Sequence, residues 1–208
     1  MKWHGLTMIA EMRRNLASRD YPEDHQKVSN IYLVHGSPTL LNPMSRRAQE
    51  EAYDVLKKLG VKIIVNTLVK DYVDGEVILS DGEKISSATL IWASGVIARQ
   101  VNGLPHEIIT RGGRIIVDEI NRLKGFDNIF AIGDQCFQTT DNNYPNGHPQ
   151  LAQVAIQQGK LLAKNLKRLQ ENKSTKSFAY HNKGSMAIIS KYKAVVDLPK
   201  GFFNGPLA

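Results

Sequence analysis

The stretch Asn128-Ile129-Phe130-Ala131-Ile132-Gly133-Asp134 decides how the rest of the chain is read. Its apolar run has strand length and stops abruptly at Gly-Asp, as a strand buried on both faces of an open α/β sheet does. In such sheets ligands lie beyond the carboxyl ends of the strands, and a glycine there lets a bulky group approach the backbone. Asp134 could then accept hydrogen bonds from sugar-alcohol hydroxyls. A Gly-Asp pair is also an ordinary turn, so the run gains weight only from its surroundings.

Downstream, His148-Pro149 opens a long helix with apolar positions at Leu151, Val154, Ala155, Leu161, Leu162, Leu166 and Leu169. Proline near the first helical position costs nothing, because the amide it lacks has no partner there. The amides of Gln150, Leu151 and Ala152 are expected to point at whatever precedes the helix, and such a terminus stabilises negative charge. A reduced flavin gathers negative charge along its N1/C2 carbonyl edge, so strand tip and helix start together suit a flavin. Gln153 and Gln157 stand four residues apart, on one helical face, where they could hydrogen-bond a ligand carbonyl without adding charge. Two surface glutamines on an amphipathic helix would look the same.

Upstream, Ser45 precedes a helix that runs to about Leu59 with Gly60 as its stop, between the apolar strands Ile31 to Val34 and Val61 to Val65. Strand, helix and strand with short connections argue a doubly wound parallel sheet. From Leu68 to Ile85 residues alternate around Asp74-Gly75 and Asp81-Gly82, which predicts an antiparallel meander. Thr89 to Ala93 returns to a continuous apolar strand, and Arg114 to Val117 is another. Leu6 to Leu16 has helical spacing, Gln170 to Ser177 is the clearest linker, and Ser185 to Asp197 reads as a hairpin around Lys191-Tyr192-Lys193.

The 208 residues suffice for one good core or two small ones. With 27 Lys and Arg against 20 Asp and Glu the formal charge is +7, much of it between Lys160 and Lys176. A solvated face explains that excess, a membrane surface is the sharper alternative, and nucleic acid is not indicated. One cysteine, Cys136, excludes an internal disulfide and a Cys-rich zinc site. The histidines show no metal spacing, and no catalytic triad is suggested. No run approaches the roughly 20 apolar residues that cross a bilayer. Met1 to Arg14 lacks the pattern of a signal peptide.

The motif Ile129 to Asp134, followed by Gly147-His148-Pro149-Gln150-Leu151-Ala152-Gln153-Val154-Ala155-Ile156-Gln157-Gln158-Gly159, resembles the FAD and quinone segment of type II NADH dehydrogenases. Leu90 to Val96 resembles the segment where the nicotinamide domain passes back to the FAD domain. Lys183-Gly184-Ser185-Met186-Ala187 resembles the start of the family's C-terminal domain, and Ala10 to Arg14 the back half of the helix after the nicotinamide phosphate loop. The resemblance implies that Gly133 and Asp134 hold the FAD ribityl chain and that the backbone near Leu151 and Ala152 meets the isoalloxazine ring. It implies further that Gly95 lies near the nicotinamide, that Lys183 sits beside flavin and quinone, and that Gln153 and Gln157 line the quinone pocket. No catalytic residue and no metal ligand is assigned.

The expected architecture is α/β, a partial two-dinucleotide-binding (Rossmann-like) flavoprotein fold with an antiparallel meander and a C-terminal β-hairpin. Residues 1–96 would belong to the NAD(P)H-binding domain, 97–173 to the FAD-binding domain, and 174–208 to the start of a quinone- and membrane-associated domain. The expected activity of the parent protein is electron transfer from NADH through FAD to a quinone, at the cytoplasmic face of the inner membrane, with a homodimer possible. Another FAD- or NAD(P)H-dependent reductase of the same scaffold, or a cofactor-free interaction module, are the alternatives.

The departures set further expectations. A complete member carries two Gly-x-Gly-x-x-Gly loops, one for each pyrophosphate, and this sequence contains neither. The chain is therefore expected to be cut short at both ends, without the family's amphipathic tail, and to hold FAD and NADH weakly or not at all by itself. At the strand end where a carboxylate usually meets the adenosine ribose stands His35, which leaves NADH against NADPH open.

Overall fold

The computed structural model describes residues 9–12, 20 and 30–206. The chain divides into two compact units, residues 1–94 with 184–208, and residues 95–183.

In the first unit, β1 (Ile31–Val34) and β2 (Val61–Ile64) pair in parallel, Ile31 against Val61 through Val34 against Ile64. They are joined by α1 (Arg46–Lys58), as the sequence predicts. Its N-cap is Ser45, whose Oγ accepts from the Ala48 amide at 3.3 Å, while Gly60 takes a φ of 77° just beyond its end. The helix buries Ala48, Ala52, Val55 and Leu56, spaced to lie along one face.

β3 (Val69–Val73), β4 (Glu76–Leu79) and β5 (Lys84–Ser86) form the expected meander. Asp74 and Gly75, with φ of 50° and 77°, turn its first hairpin in the left-handed conformation that matches strand twist. Of the helix expected over Leu6 to Leu16, residues 9–12 are helical and the remainder lies outside the described residues.

Thr89 to Ala93 is not a strand. It is irregular, with Ile91 61% and Trp92 63% exposed. An apolar run becomes a strand only where a neighbour completes its ladder, and no described residue pairs with it.

The C-terminal hairpin is a three-stranded antiparallel meander, because β8 (Ser185–Ser190) and β9 (Lys193–Leu198) are joined by β10 (Gly201–Gly205). Ala187, Ile189 and Val195 enter the same core as Leu56 and Val61, so this sheet belongs to the first unit. Ser45 fixes this packing by donating its backbone N–H and its Oγ to the Asp197 carboxylate, at 2.5 and 2.7 Å.

In the second unit, β6 (Ile115–Val117) pairs in parallel with β7 (Cys136–Gln138). The strand therefore follows Gly133-Asp134 and does not precede it. The Ile129 run folds back on residues 121–123 instead, with one antiparallel bridge between Arg122 and Phe130 and bonds from Leu123 N–H to Ile129 and from Ala131 N–H to Asn121. Asp118 holds this bend by accepting the Ile120 and Arg122 amides at 3.0 and 2.8 Å. Apolar periodicity reported burial correctly at Ala131, which is in the core, but not the ladder partner.

The long helix is α2 (Ala152–Gln170), three residues later than its proline suggests. The Leu151 amide bonds to the Pro149 carbonyl at 2.9 Å, so the proline shapes a turn before the helix. The polar stretch after α2 is no loose linker: Asn165 accepts from the Lys176 amide and donates to its carbonyl, at 2.9 and 2.8 Å, and ties the chain back along the helix.

Candidate functional site

Gly133 and Asp134 form a short 3-10 turn with Gln135, pressed against the first turns of α2. Gly133 has a φ of 66°, and a Cβ on it would come within 3.2 Å of the Ala155 Cβ, so both conformation and space require glycine. Its amide donates to the Gln158 Oε1 at 2.7 Å, and Gln150 Nε2 donates to the Asp134 carbonyl at 3.3 Å. The Asp134 side chain is exposed, and no described residue donates a hydrogen bond to its carboxylate. The tip and the helix start are thus brought together, with Leu151 and Ala152 exposed beside them.

A flavin's needs can be compared with this surface. A free carboxylate stands next to a glycine that admits close approach. Of the first-turn amides of α2 the Val154 N–H is taken up by the Leu151 carbonyl at 3.0 Å, whereas that of Ala152 has no helical acceptor, by the geometry of any helix start. Leu151 offers no side-chain cap that would compete for them. These groups suit the ribityl and ring-edge portions of FAD.

Gln153 and Gln157 do share a face of α2, and both are engaged. Gln157 Nε2 donates to the His181 carbonyl at 2.9 Å while its Oε1 accepts the His181 amide at 3.0 Å, and Gln153 Oε1 accepts the Lys183 amide at 3.2 Å. The pair holds the extended segment 181–183 along the helix, with the Lys183 side chain left exposed. Gly95 is also exposed, at a φ of 120° that favours glycine. It is hydrogen-bonded to none of the other candidates among the described residues.

The groups that position the site were given no role from the sequence, although Gln158 lies within the Gly147 to Gly159 motif. Gln158, 1% exposed, joins the Gly133 amide to the Cys136 Sγ, to which its Nε2 lies at 3.4 Å. Val154, Gln158 and Asn165 are the buried residues of α2, so amides occupy positions on the apolar stripe, and that pattern was the available signal. Burial pushes the Cys136 thiol up, against hydrogen bonds from Asn121 and Gln158 and the charge of Arg114. A neutral buried thiol is a poor nucleophile.

Behind the tip lies a buried pair, His148 Nε2 and Asp141 Oδ2 at 2.9 Å, with side chains 1% and 3% exposed. Tyr144, Phe178 and Tyr180 surround the imidazole. Burial alone would raise the Asp141 carboxyl. The His148 bond and the amides of Tyr180 and Asn143 outweigh it and hold the carboxyl below its usual range. Arg114 ties the loop to the sheet, donating to the carbonyls of Cys136 and His148. No cluster of metal-binding side chains occurs among the described residues.

The chain is similar in sequence and fold to known proteins. Residues 9–159 match the sequence profile described as Pyridine nucleotide-disulphide oxidoreductase. The chain is 30% identical over 210 residues to the type II NADH:quinone oxidoreductase of Haemophilus influenzae, covering 98% of this chain and 46% of that protein. It is 33% identical to the type II NADH:quinone oxidoreductase of Staphylococcus aureus, covering 84% and 44%. The chain spans about half the length of the curated relatives it matches. Among solved structures, NDH2 from Plasmodium falciparum in complex with NADH superposes with a TM-score of 0.82 at 18% identity, over 98% of this chain and 56% of that one. The sulfide:quinone oxidoreductase from Aquifex aeolicus gives 0.67 at 14% identity, over 96% and 49%. These superpositions establish a partial Rossmann-like fold of this class.

Proposed function

Because the chain belongs to the pyridine nucleotide-disulphide oxidoreductase family, we propose that it forms part of an NADH:quinone oxidoreductase that passes electrons from NADH through FAD to a quinone. The observation that carries this reading is the junction of the Gly133-Asp134 tip with the start of α2, held by the bond from Gly133 to Gln158. The likeness to two type II NADH:quinone oxidoreductases supports the acceptor; within these 208 residues Cys136 has no second thiol with which to form a disulfide relay.

In this reading Gly133 and Asp134 bind the ribityl chain, and the backbone at Leu151 and Ala152 orients the flavin ring edge. FAD, when bound, supplies the carrier between a hydride donor and a quinone. Gln153 and Gln157 face the quinone side and keep segment 181–183, and with it Lys183, against the helix. Gly95 leaves room for the nicotinamide. Segments 1–96, 97–173 and 174–208 serve the NAD(P)H, FAD and quinone or membrane roles respectively. Membrane association is peripheral, at the cytoplasmic face of the inner membrane, and a homodimer is compatible with it. No helix among the described residues is long and apolar enough to cross a membrane. Lacking both glycine-rich loops, these 208 residues alone hold FAD and NADH weakly or not at all.

The test is anaerobic acceptor selection by the whole protein as isolated from its native membranes, with NADH as donor. A water-soluble quinone should be reduced, and a ferredoxin-type protein or a protein disulfide should not. Reduction of the disulfide in preference to quinone would overturn the proposal. For the 208 residues by themselves, flavin absorbance retained in stoichiometric amount through gel filtration would contradict the expected weak binding.

A further inference from the structure

The concentration of positive charge between Lys160 and Lys176 has no part in the proposed electron transfer. The fold gathers it into a cleft of about 270 Å³, lined by Lys164, Lys167 and Arg168 from the last turns of α2 and by Glu171, Lys173 and Lys176 from the segment that folds back over them. Its floor is Asn165, 1% exposed, whose two bonds to the Lys176 backbone fix the return of the chain. The Arg168 Nε donates to the Ser174 carbonyl, and the Lys173 amide bonds to the Arg168 carbonyl at 2.8 Å. The cleft is therefore built by directional bonds to the backbone and is more than a run of solvated lysines.

Its charge is unbalanced. Five cationic side chains face one carboxylate, Glu171, which is taken up by Lys173 at 2.7 Å and Lys167 at 3.9 Å. Lys164 and Lys176 have no carboxylate partner among the described residues. A helix C-terminus ordinarily repels anions. Here the carbonyls of Lys167, Arg168 and Leu169 are capped by the amides of Glu171, Lys173 and Asn172, so the side chains dominate the field. Like charges held together repel one another, and a multiply charged anion relieves all of them at once. No aromatic side chain lines the cleft to stack a base.

We propose that this cleft binds a phosphate-bearing ligand. The Arg168 guanidinium offers a planar fork to phosphate oxygens, and Lys164 and Lys176 supply point charges to either side. The volume exceeds what a lone inorganic phosphate fills and suits a diphosphate or a phospholipid headgroup.

The experiment uses the full chain with two probes, inorganic pyrophosphate measured by calorimetry, and sedimentation with phosphatidylcholine vesicles with or without phosphatidylglycerol. Saturable binding to pyrophosphate identifies a soluble ligand, and binding only to the anionic vesicles identifies a headgroup. Either should fall at least tenfold in the double variant Lys164→Gln, Lys176→Gln, and in Asn165→Ala, which keeps every charge and loosens the floor. It should change less than twofold in Lys57→Gln, Lys58→Gln, which removes equal charge from the end of α1. Failure of both probes to bind at near-physiological salt, equal losses in the two lysine double variants, or full affinity in Asn165→Ala would overturn the proposal.

Discussion

The two long helices bury different chemistry. α1 turns Ala48, Ala52, Val55 and Leu56 inward, whereas two of the three buried residues of α2 are the amides Gln158 and Asn165. Apolar burial is non-directional and tolerates small shifts. A buried amide is stabilising only when its partners stand at hydrogen-bonding distance, and costly otherwise. α1 is thus a packing element, and α2 is a ruler that fixes Gly133, segment 181–183 and the Lys176 turn at set positions along its length.

The largest effect expected is in the packing helix. Leu56→Ala should lower stability by about 2–5 kcal/mol, seen as a lower urea midpoint, because it leaves a cavity in the core shared with Val61 and Val195. Gln158→Leu sharpens the contrast. It puts an apolar side chain of similar bulk in place of the amide and leaves the Gly133 N–H without its acceptor, at a cost of about 1–3 kcal/mol. Amide hydrogen exchange should quicken at Gly133 and stay unchanged along α1. Protection of Gly133 at its wild-type level would remove the distinction between the two helices.

Asp141→Asn probes the polar region through pH. The Asp141 carboxyl is held below its ordinary value of 3.8, so its contribution is fully present above that value and is lost as pH falls toward and through the folded value. The wild type should exceed the variant by about 1–2 kcal/mol near neutrality. Below about pH 4 that lead should shrink. A lead that urea unfolding shows to be the same at neutrality and in acid would mean the carboxylate charge is not what His148 and the amides recognise.

Gln157→Ala should have the smallest effect on stability, about 1 kcal/mol, because its bonds to His181 are partly exposed. Exchange at the His181 amide should rise. In the whole protein, KM for quinone should rise more than kcat falls if Gln157 serves the acceptor. A change confined to exchange would leave it a structural stitch.

What the sequence determined by itself was mostly local or apolar. Ser45 and Gly60 bounded α1, Asp74-Gly75 turned the meander, and β1 with β2 followed from strand length and spacing. The Gly-Asp tip and the helix with its glutamines were legible as motifs, enough to bring Gly133, Asp134, Leu151 and Ala152 to one place. Tertiary structure decided the rest. Whether Thr89 to Ala93 or the Ile129 run becomes a strand depends on a neighbour, and periodicity carries no information about neighbours. It also decided that Gln157 bonds to His181, that Gln158 reaches Gly133, and that Asp141 meets His148. The first two link residues 24 and 25 positions apart and the third closes a loop across seven, all through short directional bonds that are set only once the backbone around them is in place.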